Sequence, residues 1–168
     1  MNGRVRPAMR ADLALLPAIE NSGAETFARY GEPLADGSPP APPGHYEQVF
    51  ANGLIWVSEN GDGQVVGFLA AQRVESALHV EEVDVLIEHQ GRGHGRRLMT
   101  QAIDWARGQS LEAVTLTTFR HIPWNGPFYA SMGFAELSAP GLPERLADIL
   151  AEEASRGFEN RCAMRLSL

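Results

Sequence analysis

The chain has 168 residues, 44% of them hydrophobic, a length and balance that suit one domain, residues 1–168, with a sizeable core. Its net charge of −7 disfavours nucleic acid, which wants a basic footprint, and tolerates a cationic substrate. No apolar run approaches the roughly 20 residues that a membrane-spanning helix needs, the opening MNGRVRPAMRADL lacks an apolar signal core, and the lone Cys162 has no internal disulfide partner, so the cytoplasm is the expected setting.

In chain order, residues 5–8 read as a short strand. Over residues 11–28 the apolar positions Leu13, Leu16, Ile19 and Phe27 recur roughly at helical spacing. Asp12 serves as a cap or first-turn acid, and Gly23 is a point where the helix can divide in two. Residues 31–44, GEPLADGSPPAPPG, hold five of the eleven prolines and cannot be regular structure. They are either a solvated surface loop or a lid over an acceptor site. Residues 45–52 suit a short helix and 54–58 a strand. Asn60-Gly61-Asp62-Gly63 is a hairpin turn leading into a strand at 64–74, and 78–87 is the next strand. A helix follows at 93–107, with Leu98, Ala102 and Ala106 on one stripe and Met99 and Ile103 beside it. Gly108 sits where a helix-ending glycine belongs. A Val- and Thr-rich strand at 113–119, a short helix with Pro127 in its first turn, a strand at 134–137, a helix at 143–155 and a strand at 162–168 complete the chain.

Residues 83–95, VDVLIEHQGRGHG, carry the most chemistry. Gly91, Gly93 and Gly95 at alternate positions let the backbone turn tightly and approach a ligand closely. The amides that open the next helix have no intrahelical partner, and the helix dipole adds positive potential there. Arg92, Arg96 and Arg97 add formal charge. Such a turn suits a phosphate or pyrophosphate. It is not the loop of nucleotide hydrolases, because Arg96-Arg97 follow Gly95 in place of Lys-Ser/Thr. It is not the dinucleotide fingerprint, because the sixth position is Arg96 counted from Gly91 and Leu98 counted from Gly93.

What remains, Q-x-x-G-x-G after a strand, resembles the pyrophosphate-binding motif of the GCN5-related N-acetyltransferases, the GNAT superfamily. A second segment, NGPFYASMGF at 125–134, resembles the family's N-x-x-x-Y-x-x-x-G-F helix and follows in the family's order. The resemblance implies the GNAT fold: α/β (α+β), with a single mixed, mostly antiparallel sheet, splayed central strands and helices on both faces. Acetyl-CoA would enter between strands 78–87 and 113–119. By family position Val85, Ile87, Gln90, Gly91, Arg92, Gly93, His94, Gly95 and Arg96 would line its pantetheine and diphosphate, with a main-chain amide near Val85 as oxyanion donor. Asn125 would hydrogen-bond the pantetheine arm, or simply cap its helix. Phe128 would lie beside it. Tyr129 would stand near the sulfur, where a phenol of pKa near ~10 can protonate a leaving thiolate.

Acyl transfer to an amine also needs a base, because an ammonium has no lone pair. Glu81 and Glu82 are the candidates, acting directly or through water, and His79 and Asp84 are weaker alternatives. Neighbouring strand residues face opposite sides, so one of the two glutamates is expected at the site. Burial would raise its pKa toward a useful range. Two positions depart from the family pattern: Asp84, where a small or apolar residue is common, and Ile87, where many members have Pro. On the acceptor side Phe27, Tyr30, Thr118, His121 and Trp124 either pack or hold a cationic or apolar amine. The expected activity is acetyl transfer from acetyl-CoA to a primary amine of a small molecule by direct attack, with no metal and no covalent intermediate on Cys162. The alternatives are a non-catalytic acyl-CoA-binding or regulatory module and a protein acetyltransferase acting on an N-terminus or lysine. No nucleic acid or membrane partner is expected. A homodimer through residues 160–168 stays open.

Overall fold

Alternation and turn chemistry build the first half of the sheet. A computed structural model describes residues 3–28, 42 and 44–168, so Tyr30 and most of the proline-rich stretch, with its expectation of a lid, lie outside the described residues. Strands β1 (Val5–Pro7), β2 (Ile55–Glu59), β3 (Val65–Val74) and β4 (Ala77–Val85) run as an antiparallel meander. The β2–β3 turn closes on Asn60, whose side-chain oxygen accepts the Asp62 and Gln64 amides at 3.0 Å each. With β5 (Ala113–Phe119), β6 (Ala135–Leu137) and β7 (Arg161–Ser167) these make one seven-stranded sheet of order β1-β2-β3-β4-β5-β7-β6. Only the β4–β5 pair is parallel among the described residues, which is the mixed, mostly antiparallel sheet expected.

Register decides which helix covers which face, because residues directly opposite share a side of the sheet. Val57, Phe68 and Asp84 are in line. Phe68 meets Tyr46 of α2 (His45–Ala51) with ring centroids 5.4 Å apart, and Asp84 meets Gly23 of α1 (Leu16–Ala28). Trp56 and Ser58 face the other way, to Trp105 and His94 of α3 (His94–Gly108). So α1 and α2 cover one face and α3 the other. The stripe of α3, from Leu98 to Ala106, is buried against the sheet with Phe68, Leu69 and Leu78 in the same core. The short α4 (Gly126–Ala130) precedes β6, and α5 (Glu144–Ser155) packs on β5 and β7.

Several boundaries differ from the sequence reading, each for a tertiary reason. Gly23 does not divide α1; a 3-10 turn at Arg10–Leu15 runs into one continuous helix. A Cβ at Gly23 would collide with the Asp84 carboxylate, so the glycine admits a neighbour rather than breaking a helix. Asp12 is the expected first-turn acid: it accepts the Met9 amide at 2.7 Å and pairs with Arg6 at 2.7 Å. β4 stops at Val85, before the expected 87, because the Leu86 amide turns to the Val66 carbonyl and the Ile87 amide to Ser22 Oγ. Gly108 lies within α3, and the left-handed residue beyond it is Ser110, at φ 56°. β7 is paired by β5 along its length and by β6 over Ala163, Met164 and Arg165, so a second copy could add to it only outside those three positions or by displacing β6. No helix among the described residues is long and apolar enough to cross a membrane.

Candidate active site

β4 and β5 pair at three positions, Ala77–Ala113, Leu78–Val114 and His79–Thr115, and then part. The last rung is tied by side chains, since buried His79 places Nδ1 3.0 Å from Thr115 Oγ1. Beyond it β4 bulges. Ala70 opposes Glu82 and Ala71 opposes Val80, which leaves Glu81 as the extra residue. Past Thr115, β5 turns its bonds away from β4. It pairs with β7, and the Thr118 hydroxyl and Phe119 amide both donate to Asn125 Oδ1, at 2.7 and 3.4 Å.

The parted strands open a cavity of about 430 Å3. Gly23 and Phe27 line it from α1, and Val83, Asp84 and Val85 from β4. His89, Gln90, Gly91, Gly93, His94, Gly95 and Arg96 line it from the glycine loop and α3, and Trp124, Asn125, Phe128 and Tyr129 from the β5–α4 corner. Ile87 and Arg92 lie off this lining, as do Glu81, Glu82, Thr118 and His121.

One end of the cavity is built for an anion. Gly91 and Gly93 take φ of 72° and 82°, in the left-handed region that favours glycine. No side chain caps Gly93, and the first α3 bond runs from the Arg97 amide to the Gly93 carbonyl at 3.0 Å. The amides of His94, Gly95 and Arg96 are therefore not used by the helix. Arg96 reaches across to α4, donating to Ser131 Oγ at 2.9 Å over the Phe128 ring. The Gln90 amide group turns back to the Val85 carbonyl at 3.1 Å and to Thr26 at 3.2 Å. His94 is anchored from below. Its Nδ1 accepts from Arg97 at 3.1 Å and lies 2.8 Å from Ser58 Oγ. Burial first, and the Arg97 charge second, hold its pKa below the usual value. Free amides, left-handed glycines and a guanidinium together fit a diphosphate such as that of coenzyme A.

The other end is acidic. Glu81 is held by His45 Nε2 at 3.0 Å and by the Gln72 side chain. The bulge brings it to the side of the sheet that Glu82 and Asp84 face, so the two glutamates do not point oppositely as simple alternation implies. The Glu82 and Asp84 carboxyls are hydrogen-bonded to each other, and burial raises the pKa of both. The Glu82 charge raises Asp84 further. Behind them Glu20 of α1 accepts the Tyr46 hydroxyl at 2.6 Å. Asp84, 9% exposed, is the member that reaches the cavity wall.

Tyr129 stands across from this pair, stacked edge-on against Phe128 and Phe134. Burial, and then the Glu82 and Asp84 charges, push its phenol above the ordinary value, so it stays protonated at neutral pH. Phe27 and Trp124 form an aromatic corner with centroids 6.0 Å apart, and Phe27 also packs on Phe119 at 5.4 Å. His121 is exposed, edge-on to Phe119, and Thr118 is buried behind Asn125. Sequence reasoning gave Asp84 a minor place and missed Glu20, Gly23 and Tyr46. A usable signal was the coincidence of an unusual acid at 84 with a glycine inside a helix at 23.

A family model described as Acetyltransferase (GNAT) family matches residues 24–134. N-acetyltransferase 8F1 of Mus musculus is 35% identical over 86 residues, covering 48% of this chain and 38% of that protein. The chain thus spans under two fifths of the length of the curated relatives it matches. The structure of PaiA N-acetyltransferase from Thermoplasma acidophilum in complex with coenzyme A superposes with a TM-score of 0.71 at 15% identity, over 100% of both chains. N-acetylglutamate synthase from Neisseria gonorrhoeae, complexed with coenzyme A and N-acetyl-glutamate, superposes with a TM-score of 0.73 at 20% identity, over 100% of this chain and 35% of that one. At these identities the likeness is one of fold.

Proposed function

This chain belongs to the acetyltransferase (GNAT) family, and from that membership we propose that it transfers an acetyl group from acetyl-CoA to a primary amine of a small molecule. The observation that carries the reading is the gap between β4 and β5 beside the unused amides of α3. Gly91, Gly93, Gly95 and Arg96 would hold the diphosphate, and Asn125, Phe128 and the 83–85 edge of β4 the pantetheine arm. Bound there, the thioester supplies an activated acyl group: a C–N bond forms to the amine as the C–S bond breaks. The chain supplies the rest. Main-chain amides near Val85 stabilise the oxyanion. The Tyr129 phenol, protonated and opposite the acids, gives its proton to the departing thiolate. The amine's proton leaves toward the acid pair on β4. Glu82 belongs to that route, whereas Glu81 is engaged by His45 and Gln72.

Once the residues given to the cofactor are set aside, Phe27, Asp84 and Trp124 are among those that remain on the wall to receive a small amine. The test is thiol release from acetyl-CoA over a panel of amines, amino acids and peptides. Amine-dependent release, absent with peptides, is expected. Tight acetyl-CoA binding with no release for any acceptor would replace this reading with that of a non-catalytic acyl-CoA-binding module. Release with peptides alone would replace it with that of a protein acetyltransferase.

A further inference from the structure

We infer that the acceptor carries a single positive charge on an otherwise apolar body, with Asp84 receiving the ammonium and the Phe27–Trp124 corner enclosing the body. The inference rests on the transferase reading above and adds a substrate class to it. Asp84 is the one acid among the described residues that line the cavity. Its seat there is specifically accommodated, because α1 places Gly23 where any side chain would strike the carboxylate. The acids around it are engaged elsewhere: Glu82 with Asp84 itself, Glu20 with Tyr46, and Glu81 with His45 and Gln72.

This distribution discriminates among amines. One ammonium finds one carboxyl pair. A second ammonium on the same molecule would be buried beside Phe27 and Trp124 with no further carboxylate among the described residues of the wall, which is strongly unfavourable. A carboxylate on the acceptor would face Asp84 with Glu82 and Glu20 behind it, while Arg96, the one guanidinium among the described residues of the wall, is turned to Ser131 at the diphosphate end. Phe27, braced by both Trp124 and Phe119, gives a fixed aromatic surface for an alkyl or aryl group. The proton balance follows. The ammonium gives one proton to the pair through Asp84. The amine nitrogen then has its lone pair, and the pair holds the proton until it passes to solvent. The groups that face the pair while it titrates are Glu20 from α1, Tyr46 from α2, Tyr129 from α4 and Arg161 from β7, with Glu81 beside it on β4 itself.

Matched acceptors test this on the full chain. 2-Phenylethylamine is compared with phenylalanine, which adds a carboxylate, and hexylamine with 1,6-diaminohexane, which adds a second ammonium. Each monoamine is expected to exceed its partner in kcat/KM by about tenfold or more, the effect of one unpaired buried charge discounted for partial exposure. Asp84→Asn, nearly isosteric, is expected to lower kcat/KM for 2-phenylethylamine by roughly 100-fold while acetyl-CoA affinity is kept. Trp124→Ala is expected to raise KM for 2-phenylethylamine and to change KM for ethylamine little. A diamine or amino acid used as well as its monoamine partner, or full activity in Asp84→Asn, overturns the inference and leaves the transferase reading intact. Acetyl-CoA binding with no thiol release for any acceptor overturns both.

Discussion

Replacing Gly23 by alanine tests how closely α1 is packed on β4. In an ordinary helix interior the change stabilises by about 1 kcal/mol. Here the new Cβ would strike Asp84 Oδ1 and stand 2.9 Å from its Cγ. Asp84 is a short side chain, 9% exposed on a strand in register with Phe68, so either the strand gives or the carboxylate swings into the cavity that it lines. Overpacking of this kind costs about 1–3 kcal/mol, so Gly23→Ala should be neutral to destabilising by about 2 kcal/mol. In an Asp84→Ala background the obstruction is gone, and the same change should stabilise by up to about 1 kcal/mol. The helix contribution is common to both backgrounds and cancels in the cycle. The coupling is then the overpacking itself, about 1–3 kcal/mol. Urea unfolding of the four proteins at one pH, with m-values compared, gives the number. Effects that add to within about 0.5 kcal/mol would refute the contact.

Three further changes probe the site. Gly93→Glu puts a side chain at φ 82°, 3.1 Å from Arg97 Nη1, and a like charge where an anion should sit. Acetyl-CoA affinity by calorimetry should fall by about 100-fold or more, and normal affinity would contradict the diphosphate assignment. Tyr129→Phe should lower kcat by roughly 100-fold or more with acetyl-CoA affinity nearly intact, and an unaltered turnover number would remove Tyr129 from the mechanism. His79, lowered from 6.5 to about 4 by burial first and Arg145 second, is neutral in the folded chain. As pH falls, the unfolded chain takes up a proton from about 6.5 downward and the folded chain only near 4. The His79 contribution is thus complete above 6.5 and lost toward 4, on the order of 3 kcal/mol. His79→Gln should therefore show a shallower loss of stability than the parent between about pH 7.5 and 4.5, and equal losses would contradict a buried neutral histidine.

The parts of this molecule that were legible in the sequence are those whose cause is local. The Asn60 turn, the α3 stripe and the left-handed glycines at 91 and 93 each follow from the residues at those positions. The bulge at Glu81 does not. It arises from how β4 meets Ala70 and Ala71, which lie on another strand, and nothing in the VEEVDV run marks it. That single extra residue is why alternation misjudged the two glutamates. Gly23 misled for a related reason: a local rule reads a helix-interior glycine as a break, whereas its cause is an acid 61 positions away in the chain. His94 was legible as part of the loop, yet its anchor, Ser58, lies on β2, and Glu20 and Tyr46 meet across two helices. Gly108 and Ser110 show the limit of terminus signals, since the helix runs through the glycine and turns on the serine.

The crystal structure of the complex with acetyl-CoA tests the account most directly. The diphosphate should rest on the amides of His94 to Arg96, with the acetyl group reaching between Val83–Val85 of β4 and the Trp124–Tyr129 corner, facing Asp84. Acetyl-CoA bound at another surface, or a complex in which β4 and β5 pair along their whole length, would contradict it.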